Sequence, residues 1–175
     1  MSVVAPAGFV AGGVACGIKP SGDADLALVA TADGAAVAAA GVFTQNLVVA
    51  APVVVSRRHL AATGGQAAAV VLTSGNANAG TGARGEADAE QMCALAAGAI
   101  GAEPDAVLVC STGLIGHALP MDALHAGIPA VAAARGAAPA QGIAAAEAIM
   151  TTDTRRKETV VRGAGFVVGG MAKGA

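Results

Sequence analysis

"LALVATADGAAVAAAGVF", residues 26–43, decides how the chain is read. Leu26–Thr31 is an apolar run of β type, and residues 35–43 form another. Between them stands Asp33-Gly34, a strong hairpin signal because the turn needs a residue that adopts positive φ easily. A hairpin this early disfavours an all-parallel doubly wound sheet. Residues 48–55 read as a further strand and 57–62 as a short helix. Residues 68–73 read as a buried strand that ends in "SGNANAGTGARG" (74–85), too rich in Gly and Asn to be regular. A helix follows from about Glu86, with Ala89, Met92, Cys93, Ala96 and Ile100 on one apolar face. After a strand at 107–110, Pro120 and Pro129 each suit the first turn of a helix. Residues 144–150 are helical and stop before "TTDT", and 159–170 hold two short strands. No internal repeat or linker divides the chain. The expectation is a single domain, 1–175, with an α/β fold: a mixed layered sandwich in which helices pack on largely mixed or antiparallel sheets.

Composition narrows the function. Apolar residues make up 55% of the 175, yet aromatics only 2%, so Ala, Val, Leu and Ile must build the core. With charged residues at 13%, part of that apolar surface is expected to cover a partner chain. Net charge is −2, and the ten Lys and Arg are dispersed except for Arg155-Arg156-Lys157, which reads as a solvated turn. Nucleic-acid binding would need a basic face with interleaved aromatics, and neither is present. Residues 34–56 carry no charge and are long enough to span a membrane, but Thr44-Gln45-Asn46 interrupts them and Pro52 follows. Two strands around a polar turn explain them better. The first eighteen residues hold no Lys or Arg, so a secretory signal is not expected. Cys16, Cys93 and Cys110 form no C-x-x-C pair, which fits reduced thiols in the cytoplasm.

Candidate chemistry is sparse. Ser111, His117 and Asp122 invite comparison with a catalytic triad, but they lie within a dozen residues and lack a nucleophile elbow. Cys110 sits in an apolar strand without a base and reads as a core thiol. His59, His117 and His125 have no H-E-x-x-H or paired-carboxylate context, so no metal is expected. "GAGFVVGG" departs from a dinucleotide fingerprint in spacing, and no helix follows it. "CSTGLIG" (110–116) is more informative: Thr112-Gly113 offers a hydroxyl and a backbone N–H at a strand end, where such groups can stabilise an oxyanion. Spacing alone favours an ordinary Ser/Thr/Gly turn. Thr151-Thr152-Asp153 equally fits a helix cap. Lys173 stands in a Gly-rich end, after Gly169-Gly170 and before Gly174, where backbone could approach a ligand closely.

Six stretches in order, "APAGFVAGGVACGIKPSGDADLALV", "AAGVFTQNLVVAAPV", "SGNANAGTG", "CSTGLIGHALPMD", "AIMTTDT" and "VGGMAKGA", resemble the α-chain of the ornithine acetyltransferase/glutamate N-acetyltransferase (ArgJ type) family. The resemblance runs from Ala5 to the end. It implies a DmpA/ArgJ-like layering and a precursor that cuts itself before a threonine further on. That Thr, first residue of a β-chain, would be acetylated by N-acetylornithine and pass the acetyl group to glutamate in arginine biosynthesis, without cofactor or metal. Some family members also take acetyl-CoA. By resemblance, Thr112 and Gly113 match the oxyanion-hole pair, and Thr151 and Lys173 match substrate-binding positions. The expected partner is the β-chain, in an α2β2 assembly, with no nucleic acid and no membrane. The chain stops at Ala175, before the family's scissile bond. A self-processing N-terminal-nucleophile aminopeptidase and a non-catalytic scaffold chain of the same fold are the alternatives.

Overall fold

In chain order the elements are β1 (Phe9–Val14), β2 (Leu26–Thr31), a two-residue β3 (Val37–Ala38), α1 (Ala51–Ala62), β4 (Gln66–Ala67), β5 (Ala69–Asn76), α2 (Gly82–Ile100), β6 (Val107–Leu114), α3 (Met121–Ala134), α4 (Pro139–Ala148), β7 (Lys157–Gly163) and β8 (Phe166–Ala172). They come from a computed structural model that describes residues 2–173. The expectation for Gly174 therefore lies outside the described residues.

The main sheet has the order β1-β2-β5-β6. β2 is antiparallel to both β1 and β5, whereas β5 and β6 run parallel and are joined through α2. The expected mixed sheet is therefore present. The hairpin at Asp33-Gly34 is not. The turn itself forms, with Gly34 at φ 75° and the Ala35 N–H donating to Asp33 Oδ1 at 3.1 Å. It leads away from β2, because both edges of β2 are already taken. Only Val37–Ala38 of the second run is strand, and it pairs with Gln66–Ala67.

β2 alternates between two cores. Leu26, Leu28 and Ala30 face Met92, Cys93 and Ala96 of α2 and Leu124, Ile128 and Val131 of α3. Ala27 and Val29 face Ala145, Ala148 and Ile149 at α4. Both faces of the sheet are thus covered, which is why this strand reads as a continuous apolar run. Expected boundaries move for related reasons. α3 runs through Pro129 instead of ending there, since Leu124, Ile128, Val131 and Ala132 form one buried stripe across it. Burial of that stripe outweighs the roughly 3 kcal/mol that an interior proline costs. The strand expected at 48–55 is replaced by α1, which begins at Ala51 with Pro52 in its first turn.

Both sheet edges are closed. At β1, Ala11 and Gly136 exchange N–H···O bonds of 3.1 and 2.9 Å. At β6, α1 substitutes for a neighbouring strand. Ser56 Oγ donates to Val109 O at 2.8 Å and accepts from Val109 N–H at 2.9 Å. One turn on, His59 Nδ1 lies 2.7 Å from Val107 O and its Nε2 lies 2.9 Å from Glu90 on α2. An unpaired edge would otherwise recruit other strands.

Packing on β1 is closer than side chains allow. A Cβ on Gly13 would lie 2.1 Å from the Ala144 carbonyl oxygen of α4, and one on Gly12 would lie 2.9 Å from that of Val131 on α3. Helix and strand meet backbone to backbone.

The loop between β1 and β2 is organised by one side chain. Asp25 is fully buried, and its carboxylate accepts N–H bonds from Cys16 (2.7 Å), Gly17 (3.1 Å), Ile18 (2.6 Å) and Lys19 (2.9 Å). Burial acts to raise its pKa, but donation from the backbone of Lys19, Cys16 and Ile18 outweighs that and holds it below the ordinary aspartate value. The adjoining Cys16 thiol is pushed up to about 12 by burial and by Asp25, so it is inert as a thiolate.

Two measurements test this construction in the full-length protein. Gly13→Ala forces α4 off the sheet and is expected to cost about 3 kcal/mol in denaturant unfolding, the upper range for overpacking. An unchanged midpoint would show that α4 is not seated on β1. Asp25→Asn offers an amide N–H where four donors converge, so it should cost about 3 kcal/mol. The wild-type contribution of Asp25 is complete above the unfolded aspartate pKa of about 3.9. It is lost as pH falls through the lower folded value. The stability difference between wild type and variant should therefore shrink in acid, and a constant difference down to pH 2 would sink the assignment.

Candidate functional site

Strand ends and loops enclose an open cleft of about 1430 Å³, and Thr112, Gly113 and Thr151 line it together. Thr112 and Gly113 lie at the end of β6. Up to Ser74↔Thr112 and Gly75↔Gly113 the parallel register with β5 is regular, and it then shifts between Gly75 and Asn76. Such an irregularity re-aims the backbone at a strand end. Gly113 has φ 145°, and a Cβ there would meet the Gly75 carbonyl carbon at 2.2 Å and Asn76 N at 2.5 Å. Only glycine fits. The corner is braced from beneath: Asn76 Nδ2 donates to the carbonyls of His117 (3.2 Å) and Ala118 (3.0 Å).

That brace belongs to "SGNANAG", which is ordered rather than loose. Ser74 Oγ donates to Ala148 O at 2.6 Å, tying β5 to the end of α4. Asn78 is fully buried at φ 46°, its Nδ2 donating to Gly85 O at 2.8 Å while its Oδ1 accepts from Thr81 Oγ1 at 2.8 Å. Ser74 N–H donates to Asp25 O at 2.9 Å, which links the corner to the caged loop.

The opposite wall follows α4. Lys173 Nζ donates to Thr151 Oγ1 at 2.7 Å, so two residues twenty-two positions apart meet as one unit. With its oxygen accepting from Lys173, the Thr151 hydroxyl keeps its own proton to donate. Asp153 accepts from Thr151 N–H at 3.3 Å and pairs with Lys157. The Lys157 hydrogen bond holds Asp153 below the ordinary carboxylate range. Arg155 and Arg156 also line the cleft, and Arg156 pairs with Glu158 at 2.7 Å and Glu147 at 3.2 Å. The basic run expected to be only a solvated turn is thus partly a cleft wall.

Other sequence candidates do not assemble. The Ser111 hydroxyl accepts from Thr73 Oγ1 at 2.8 Å, the carbonyl of His117 is engaged by Asn76, and the cleft lining among the described residues includes no histidine or cysteine. Cys110, expected in the core, is exposed on β6. Among the described residues no cluster of His, Cys, Asp or Glu could hold a metal, and no helix is long and apolar enough to cross a membrane. "GAGFVVGG" lies across the β7–β8 hairpin. Missed at the level of sequence was Lys19, which lines the cleft beside Gly75. The signal for it was Asp25, an acidic residue opening an apolar strand after a Gly-rich loop.

Chemically, the cleft offers a hydroxyl and an N–H at a glycine corner, a lysine–threonine pair, and flanking charges of both signs. It can hold a charged amino-acid-like molecule and stabilise an oxyanion. It supplies no activated nucleophile of its own among the described lining residues.

Known proteins match this chain over its length. Arginine biosynthesis bifunctional protein ArgJ of Thermobifida fusca (strain YX) is 52% identical over 175 residues, covering all of this chain and 44% of that protein. The protein of the same name from Streptomyces coelicolor is 51% identical over 176 residues, again 44% of its length. This chain therefore spans under half the length of the curated relatives it matches. Among solved structures, ornithine acetyltransferase from Mycobacterium tuberculosis complexed with ornithine superposes with a TM-score of 0.95 at 48% identity, covering 99% of this chain and 92% of that one. ArgJ from Bacillus halodurans gives 0.90 at 38% identity, covering 100% and 91%. The profile of the ArgJ family matches residues 10–175, from the first strand of the sheet through the Lys173 wall of the cleft, and the chain belongs to that family.

Proposed function

We propose that this chain is the α-chain of an arginine-biosynthesis acetyltransferase, moving an acetyl group from N-acetylornithine to glutamate through an acetyl-threonine on a β-chain cut from the same precursor. One observation carries the reading: Thr112, Gly113 and Thr151, distant in sequence, line one cleft, and Lys173 is bonded to Thr151. The double displacement passes through tetrahedral intermediates, and the Thr112 hydroxyl with the Gly113 N–H is the donor pair for their oxyanion. Lys173 and Thr151 take the substrate carboxylate through charge-assisted hydrogen bonds.

The two-chain reading has separate support. Curated relatives are more than twice as long as the matched segment, whereas the M. tuberculosis crystal chain is nearly coextensive with it. Leu114 and Ile115, next to the glycine corner, are 66% and 70% exposed, and Leu47 is 98% exposed. The β-chain would cover these side chains and bring the nucleophile to the corner, with two copies of each chain in the assembly.

Thr112→Ala in the full-length protein is expected to slow acetyl transfer and precursor cleavage by roughly 10²- to 10³-fold, as for loss of one oxyanion donor. Wild-type rates for both would return Thr112-Gly113 to an ordinary turn. For the opposite wall, Lys173→Met keeps most of the stem and removes the charge. It should lower kcat/KM for both substrates by about 1.5–3 kcal/mol, the range for a hydrogen bond to a charged group. Unliganded melting temperature should barely move. Normal kinetics with a large fall in melting temperature would make Lys173 structural.

A further inference from the structure

Lys19 is the one lysine among the described residues that line the cleft. It lies on the wall formed by the caged loop, with Thr112 and Gly113 across the same cleft. Its backbone is pinned by donation to Asp25, so its position does not depend on its ammonium. Its stem packs over Gly75: a Cβ on that glycine would lie 3.1 Å from Lys19 Cγ. Gly75 is the register partner of Gly113, so the Lys19 stem lies beside the strand next to the glycine corner. One of its three N–H donors is taken by Ala24 O at 2.6 Å, which leaves two for a ligand. Burial acts to lower its pKa, and the opposing pull of Asp25 and Asp23 does not restore it. Lys173 meets the same cleft through its bond to Thr151, which lines it.

A lysine on one wall of a cleft and a second lysine bonded to the wall opposite suit a ligand that carries two anions. The substrates of the acetyltransferase reading differ in that respect: N-acetylornithine has one carboxylate and glutamate has two. We propose that Lys19 binds the side-chain carboxylate of the acceptor glutamate, while Lys173 and Thr151 hold the carboxylate that both substrates share. The assignment rests on the acetyltransferase reading. It makes Lys19 a specificity residue for one half of the double displacement. Asp23, on the same loop with Ser21 Oγ donating to it at 2.8 Å, leaves negative charge beside Lys19 for the ammonium of the other substrate.

The two half-reactions of the full-length protein separate these roles. Ornithine release in a single turnover with N-acetylornithine reads the first, and steady-state dependence on glutamate reads the second. Lys19→Met should raise the KM for glutamate by about 10- to 150-fold, as for loss of a hydrogen bond to a charged group. It should leave the ornithine burst within about twofold of wild type, because that half-reaction presents no second carboxylate. Lys19→Gln keeps an N–H for Ala24 O and should show the same split even if the Met variant folds poorly. An unchanged glutamate KM in the Gln variant overturns the proposal. Equal weakening of both half-reactions also overturns it, since Lys19 would then serve the shared carboxylate or the fold. In either case an active wild type leaves the acetyltransferase reading standing. A wild type that transfers no acetyl group removes that reading and this assignment together.

Discussion

The caged carboxylate of Asp25 is the interaction on which the rest of the site depends. Isolated in a core, an ionised carboxylate would cost many kcal/mol, and four converging backbone N–H groups remove that cost. Their convergence forces residues 16–19 to curl around the start of β2. The curl delivers Lys19 to the cleft and leaves Pro20, Ser21 and Asp23 as its rim. On its other side, the backbone carbonyl of Asp25 accepts from Ser74, and Ser74 in turn holds the end of α4. One buried charge thus connects the rim loop, the strand below the glycine corner and the helix that leads to Thr151.

A second constraint is the want of bulk. With few aromatic side chains available, layers are brought together by letting backbones touch. Gly12 and Gly13 seat α3 and α4 on β1, and Gly113 lets the end of β6 approach Gly75 of β5 within a distance that no Cβ permits. The first pair belongs to the core and the second to the site, yet the physical device is shared. Rigid placement of an N–H donor requires this closeness, because a preorganised dipole stabilises developing charge only when it does not have to move.

Much of the architecture was legible in the sequence. The helical face of Met92, Cys93, Ala96 and Ile100, the buried strand of 68–73, the strand from 107 and the paired strands near the end all form as expected. The errors share a cause. Asp33-Gly34 and the run of Val53 to Val55 report local preference truthfully, since the turn forms and β-branched residues favour strands. Neither reports which neighbours are already occupied. β2 had no free edge for a hairpin partner, and β6 needed a helix bearing Ser56 and His59 at its edge. Pro129 misled in the same way, its local penalty overruled by the stripe around it. In the site, Thr112, Gly113, Thr151 and Lys173 were named through resemblance, because spacing alone could not separate them from turns and caps. Lys19 was missed because its placement comes from the Asp25 cage, whose one sequence signal is an acidic residue opening an apolar strand.

The distribution of charge around the cleft suits the proposed reaction, whose two substrates carry side chains of opposite sign. Lys19 lines it, Lys173 is bonded to the lining Thr151, and Asp23, Glu147, Asp153 and Glu158 supply negative charge on its walls. Most of these groups are already engaged, Asp153 with Lys157, Glu158 with Arg156, Thr151 with Lys173. An engaged group keeps its geometry while it waits, so a ligand meets donors and acceptors whose ordering cost has been met in folding. On the proposed function, a cleft held this way accepts first an ammonium and then a carboxylate without rebuilding its walls. That is the requirement of a double displacement in which donor and acceptor visit one site in turn.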